Sequence, residues 1–206
     1  MRLCTCAVLT SLALTAATAR AEWFVDHADK MGTRMDVEVW HDSEPEARRL
    51  IAMAMAEFDR IEADMSTYRP DSEISRVNAR AATEAVPVST EFYDLIRRAL
   101  DMSVLSDGAF DITFDSVGQL YDFRRRVRPS DAEIQARLPL INYRHVVLEP
   151  SGRTIRFTMP GTRINLGGIA KGYAVERVIG LLGNAGVKHA LATAGGDTRL
   201  LGDHHG

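Results

Sequence analysis

The chain has 206 residues, a hydrophobic fraction of 46%, a charged fraction of 26% and a formal net charge of -3. That balance suits one α/β domain with a substantial core and excludes a global electrostatic attraction to nucleic acid. Both cysteines, Cys4 and Cys6, lie near the start, so a chain cleaved beyond them has neither disulfides nor thiol catalysis.

In chain order, residues 1–21 read as a secretory signal. Arg2 supplies the positive region, Ala7 to Ala17 the apolar region and Ala19-Arg20-Ala21 the cleavage site before Glu22. Residues 22–206 then form the exported domain, with an uncleaved membrane anchor as the second reading. Val37 and Val39 alternate with polar neighbours as in a strand, and Ser43-x-x-Glu46 with Pro45 predicts a capped helix start. Leu50, Met53, Ala54, Phe58, Ile61 and Met65 carry that helix onward at helical spacing, the methionines serving as core fillers. A second helix starts near Ser89 on the stripe Phe92, Leu95, Ile96, Ala99 and Leu100. Gly108 reads as its left-handed cap or as a turn with close backbone approach. The arginines at 124, 125, 126 and 128 read as a solvated loop ending at Pro129. The Ser130-x-x-Glu133 capping box opens a short helix ending at Pro139. Val146 to Leu148 and Ile155 to Phe157 flank Pro150-Ser151-Gly152 as a hairpin.

Chemistry concentrates in residues 164 to 173, Ile-Asn-Leu-Gly-Gly-Ile-Ala-Lys-Gly-Tyr. A short strand over Arg163 to Leu166 runs into Gly167-Gly168, which open a helix from Ile169 to about Leu182. Paired glycines allow close backbone approach, and the first amides of a helix point outward at its positive end. A lysine there, Lys171, is mildly unfavourable without an anion to offset it, which points to phosphate; a solvated lysine beside an ordinary strand-to-helix turn is the rival reading. Ala190 to Ala194 reads as a buried strand ending in Gly195-Gly196.

Five separated stretches resemble the ApbE family of FAD:protein FMN transferases, in the order found there. They are Met31-Gly32-Thr33, Ser66 to Ser75 with Asn78, Gly108 to Thr113, Asn165 to Tyr173 and Gly195-Gly196-Asp197. The resemblance implies a mixed α/β, T-fold-like architecture. It also implies a periplasmic, Mg2+-dependent enzyme that moves FMN from FAD to a threonine or serine of a target flavoprotein, often of a membrane electron-transfer complex, and releases AMP. Some relatives instead hydrolyse FAD. By position, Met31, Tyr68, Ala109, Phe110, Asp111, Asn165 and Lys171 match FAD contacts, Tyr68 as the aromatic that stacks on isoalloxazine. Lys171 is also the candidate catalytic cation, and the Gly168 carbonyl matches a magnesium contact. Many family members have aspartate where this chain has Asn165, so a role there as base or metal-attracting anion is lost.

Family members normally continue for roughly another hundred residues beyond the Gly-Gly-Asp stretch. The chain is therefore expected to be the amino-terminal portion of a single transferase domain, with the metal's side-chain ligands in the remaining, carboxy-terminal portion. FAD pyrophosphatase activity and a non-catalytic flavin carrier remain the alternatives. His204 and His205 read as an ordinary polar end rather than metal ligands.

Overall fold

The computed structural model describes residues 20–122 and 125–203. Most of the expected signal, Arg124, His204 and His205 lie outside the described residues.

β1 (Glu22–Lys30) and β2 (Thr33–His41) pair antiparallel across the two-residue turn Met31-Gly32. Both turn residues have positive φ, 51° and 74°, as a turn matching the twist of its strands requires. β1 carries little sequence signal, because of its nine residues only Phe24 is buried.

α1 (Glu44–Met65) buries the expected stripe, with Met53 partly covered at its margin. Each large apolar side chain so covered contributes about 1.5–3 kcal/mol. Its capping box does not form. The Ser43 amide is taken by His41 Nδ1 at 2.9 Å and Glu46 turns to Arg49, so neither half of the reciprocal pair is available.

α2 (Glu73–Arg80) begins within the Ser66 to Ser75 stretch, carries Asn78 and is capped by Ser72. β3 (Val86–Pro87) and α3 (Thr90–Leu105) follow, the latter opening at Ser89 as expected. α3 ends in a left-handed cap that begins one residue early, at Asp107 (φ 50°) as well as Gly108 (φ 82°), with Gly108 N–H donating to the Ser103 carbonyl at 2.8 Å.

After α4 (Asp115–Gly118), Arg125 and Arg128 are exposed and pair with Asp122 and Asp131, in keeping with a solvated loop. α5 (Asp131–Arg137) has its capping box complete. β4 (Val146–Glu149) and β5 (Thr154–Phe157) form the expected hairpin, β3 adding to β5. Arg153 (φ 45°), not Gly152, takes its left-handed position. α6 (Ala170–Asn184) leads to β6 (Ala190–Ala194) and β7 (Asp197–Leu201), joined at Gly195-Gly196 with φ of 57° and 107°.

The main sheet has the order β1-β2-β6-β7 and is antiparallel throughout. α1 lies on β1 and β2, α6 on β6 and β7, and the two helices pack together. Met35, Val37, Val39, Ala190, Ala192 and Ala194 meet Leu50, Phe58, Ile61, Ala174, Val178 and Leu182 in one core. The small alanines of β6 let α6 sit close to the sheet.

The strand expected at Arg163 to Leu166 joins neither sheet. Buried backbone groups need partners, and here side chains supply most of them. Arg163 N–H donates to Ser116 Oγ at 3.0 Å. Ile164 N–H donates to Asn78 Oδ1 at 2.8 Å, and Asn78 Nδ2 donates back to the Ile164 carbonyl at 2.9 Å. Asn165 N–H reaches the Ile112 carbonyl at 2.9 Å. Asn78 thus stands in for a neighbouring strand.

Candidate functional site

Two hairpin turns, Met31-Gly32 and Gly195-Gly196, lie at one end of the main sheet. Gly195 N–H donates to the Arg34 carbonyl, and a Cβ on Gly195 would meet Thr33 Cγ2 at 2.8 Å and Lys171 Cδ at 3.1 Å. The start of α6 and the end of α1 open onto the same place. Between them is a hollow of about 360 Å³ whose lining includes Met31, Glu62, Tyr68, Arg69, Asn165 and Lys171. Four of the residues singled out by sequence, Met31, Tyr68, Asn165 and Lys171, therefore share one wall system although they are far apart in the chain.

Tyr68 is 83% exposed. Its loop is closed by Ser72, whose buried Oγ lies 2.8 Å from the Ser66 carbonyl and 2.9 Å from that of Arg69, while accepting the Ser75 amide as the cap of α2. The serines of this stretch hold the loop that presents the ring. Tyr68, Thr67 and Asn165 also border a second hollow of about 530 Å³, completed by residues including Phe114, Asp115, Tyr121, Ile141 and Arg163. The ring stands between the two.

The cradle differs in detail from its sequence reading. Ile169 and Ala170 both donate their amides to the Leu166 carbonyl, at 2.9 and 2.7 Å, so these two donors are used internally. The positive charge of the cradle is that of Lys171, in the first turn of α6 with Nζ 3.2 Å from the Gly167 carbonyl, together with the positive end of the helix. Gly167 N–H donates to Asn165 Oδ1 at 2.8 Å, and a Cβ at 167 would press on that same oxygen at 3.1 Å. At Gly168 the space a Cβ would need is filled by the Phe110 ring, 3.1 Å away. Gly168 itself borders a third hollow with Arg98, Gly172, Tyr173, Glu176 and Asp197.

Phe110 thus reaches the cradle by packing on Gly168, but Ala109, Phe110 and Asp111 line none of the three hollows. Asp111 Oδ1 accepts from Thr113 N–H and Oγ1 at 2.8 and 2.6 Å, and Oδ2 accepts from Tyr143 N–H at 2.8 Å. Its carboxylate organises the 111–114 turn and leaves few lone pairs for ribityl or ribose hydroxyls. Asp115 and Arg163 escaped the sequence reading. They are paired at 3.1 Å, and Asp115 Oδ1 also accepts from Asn165 Nδ2 at 3.2 Å. Nothing local marks Asp115, whose partners lie 48 and 50 positions later.

α6 is also pinned by charge. Arg60 of α1 bonds Glu57 and Glu91, Tyr173 donates to Glu91, and Arg177 pairs with Glu57. The Arg60 hydrogen bonds, joined by its charge and by Arg177, hold the Glu57 carboxyl below its usual range against the opposing effect of burial. Burial pulls Glu91 upward, but its bonds from Arg60 and Tyr173 outweigh that and leave it lowered. Burial and Glu91 together push the Tyr173 hydroxyl up, so it stays protonated.

A cation, an amide and an exposed aromatic ring around one hollow suit a ligand bearing both phosphate and a flat ring, the class that includes dinucleotides. A model of the ApbE family matches residues 31–206, and the chain belongs to that family. It is 33% identical over 148 residues to the FAD:protein FMN transferase of Vibrio cholerae, covering 70% of this chain and 44% of that protein. It is 29% identical over 175 residues to one from Klebsiella pneumoniae, covering 84% and 54%. Among solved structures, the flavin transferase ApbE from Vibrio cholerae superposes with a TM-score of 0.79 at 29% identity, over 89% of this chain and 60% of that one. The ApbE protein of Thermotoga maritima gives 0.80 at 28% identity, over 88% and 59%. The chain spans about half the length of these curated relatives.

Proposed function

We propose that the chain carries the FAD-binding side of a FAD:protein FMN transferase, which moves FMN from FAD to a threonine or serine hydroxyl of a target flavoprotein with AMP as the leaving group. The observation that carries this reading is the convergence of Met31, Tyr68, Asn165 and Lys171 on one hollow, in a chain of the ApbE family. Tyr68 and Met31 seat the flavin. Lys171 and the positive end of α6 offset pyrophosphate charge, and so favour the build-up of charge as the acceptor oxygen bonds phosphorus and the bond to AMP breaks.

The magnesium implied by the resemblance finds few donors here. Among the described residues no group of three or more histidine, cysteine, aspartate or glutamate side chains could hold a metal ion. Gly168 shares its hollow with two carboxylates, Glu176 and Asp197, and Glu176 is paired with Arg199 at 3.1 Å. Magnesium needs near-octahedral oxygen coordination, which this set does not provide.

A periplasmic location is part of the proposal, supported by the order of Arg2, the apolar stretch and Ala19-Arg20-Ala21, with β1 beginning directly after it. The acceptor is proposed to belong to a membrane electron-transfer complex. The test is to incubate residues 22–206 with FAD, magnesium and a threonine-containing acceptor peptide. Flavinylated peptide is the result expected of a transferase, whereas free FMN points to a pyrophosphatase. FAD bound but unchanged is the result expected of the FAD-binding side without the carboxy-terminal portion, or of a carrier, and no binding at all would remove the flavin reading.

A further inference from the structure

Resting on the reading of the cradle as a flavin-nucleotide site, we propose that Asp115 is a positioning residue of that site. It fixes the orientation of the Asn165 carboxamide and makes position 165 selective for asparagine over aspartate.

The two ends of the Asn165 side chain face chemically opposite neighbours. Oδ1 accepts from the Gly167 amide at 2.8 Å, and Nδ2 donates to Asp115 Oδ1 at 3.2 Å, with Thr67 Oγ1 at 3.5 Å. A flipped amide would set its NH2 against the Gly167 N–H and its oxygen against a carboxylate, losing both bonds. Asp115 is itself held firmly. It is 5% exposed, and its second oxygen accepts from Arg163 Nε at 3.1 Å. The backbone of Arg163 is tied in turn to the fully buried Ser116. Donor and acceptor thus alternate from the Gly167 amide through Asn165 to Asp115, where the relay ends on a carboxylate that Arg163 holds from the other side, at the wall of the larger hollow.

Aspartate at 165 has the same shape but cannot complete that relay. It would keep the Gly167 bond and bring a carboxylate oxygen against Asp115 Oδ1, where two ionised carboxylates cannot both persist without cost. Among the described residues, the charged and titratable groups lining the two hollows beside this pair are Arg163, Tyr68, Arg69 and Glu62, Lys171 on α6, and Tyr121. Arg163 already serves Asp115, so a second carboxylate gains no dedicated cation. It would also add negative charge where the ligand's phosphates are to be received. Asn165 leaves the site one carboxylate at this point, on Asp115.

The experiment compares the wild type, N165D, D115N and the exchanged pair D115N/N165D, in the chain as it stands. Melting is followed without ligand at pH 8 and pH 5, and FAD affinity by titration at both. N165D is expected to melt below wild type at pH 8 and to approach it at pH 5, where one proton shared between the carboxylates restores a hydrogen bond. Its FAD affinity should fall about tenfold at pH 8, the effect of a coupling worth one pKa unit. D115N should be milder, and the exchange should regain most of what N165D loses, because the amide then at position 115 can donate to the carboxylate at position 165. Rescue by exchange is what a simple packing role would not give. If N165D does not fold at pH 8, folding of the exchanged pair where the single variant fails is the expected result. An N165D protein as stable as wild type at pH 8, a deficit that ignores pH, or an exchange no better than N165D would each overturn the proposal. Should the wild type bind no FAD, the flavin reading falls, while the melting series still decides the pairing of Asn165 with Asp115.

Discussion

Removing the Asn78 carboxamide should unfasten the segment that leads into the glycine loop. In Asn78→Ala, the N–H and C=O of Ile164, a residue with no exposed surface, lose the partners now at 2.8 and 2.9 Å. Each unsatisfied buried group costs about 1–3 kcal/mol, and a water entering the vacated space recovers part of it, so the expected loss is about 2–4 kcal/mol. That is a large fraction of a typical stability of about 5–15 kcal/mol. Urea unfolding followed by circular dichroism should show a midpoint lower by about 1–2 M at unchanged slope. Asn78→Asp keeps an acceptor for the Ile164 N–H but turns a carboxylate onto the Ile164 carbonyl, and should fare no better than alanine. An alanine variant within about 0.5 kcal/mol of wild type, the range of ordinary surface changes, would refute the account of Asn78 as a surrogate strand.

Tyr68→Ala should leave the melting temperature unchanged, since the ring is 83% exposed, while weakening FAD binding by about 1–3 kcal/mol by analogy with base stacking, with Tyr68→Phe nearly neutral; equal calorimetric affinities of the wild type and the alanine variant would remove Tyr68 from the site. Gly195→Ala should lower FAD affinity more than Gly196→Ala, because only at 195 does the new Cβ press on Thr33 and Lys171; the reverse order in titrations of both variants would contradict the geometry. Both should also lose about 1–2 kcal/mol of stability to positive φ. Glu57→Gln should cost about 1–3 kcal/mol at pH 7. The lowered carboxyl of Glu57 stabilises the fold above the unfolded value of about 4.3, and that contribution disappears as pH falls through the folded value. The gap from wild type should therefore close in acid, and melting curves with a gap independent of pH would rule this out.

Much of the fold is legible in the sequence where burial imposes a period. α1, α3 and α6 each show an apolar stripe, and the β4–β5 hairpin and the Ser130 capping box carry local turn and cap chemistry. β1 and β7 are silent because edge strands with one or no buried residue need no alternation. The Ser43 box shows the opposite failure, a correct local pattern overruled by His41 and Arg49. At the site, motif resemblance finds the cavity-lining Met31, Tyr68, Asn165 and Lys171. It does not find Asp115 or explain Asn78, whose roles exist only once positions 50 and 86 residues apart are brought together.

The resting place of Lys171 bears on how readily the cradle can work. Its ammonium lies on the carbonyl of Gly167, and the backbone beneath it is fixed at one end by the Leu166 turn and at the other by Tyr173 on Glu91. An arriving anion would exchange one oxygen partner for another by side-chain rotation alone. The loop has already met its ordering cost in the free protein, and such preorganisation leaves more of the contact energy for holding the ligand.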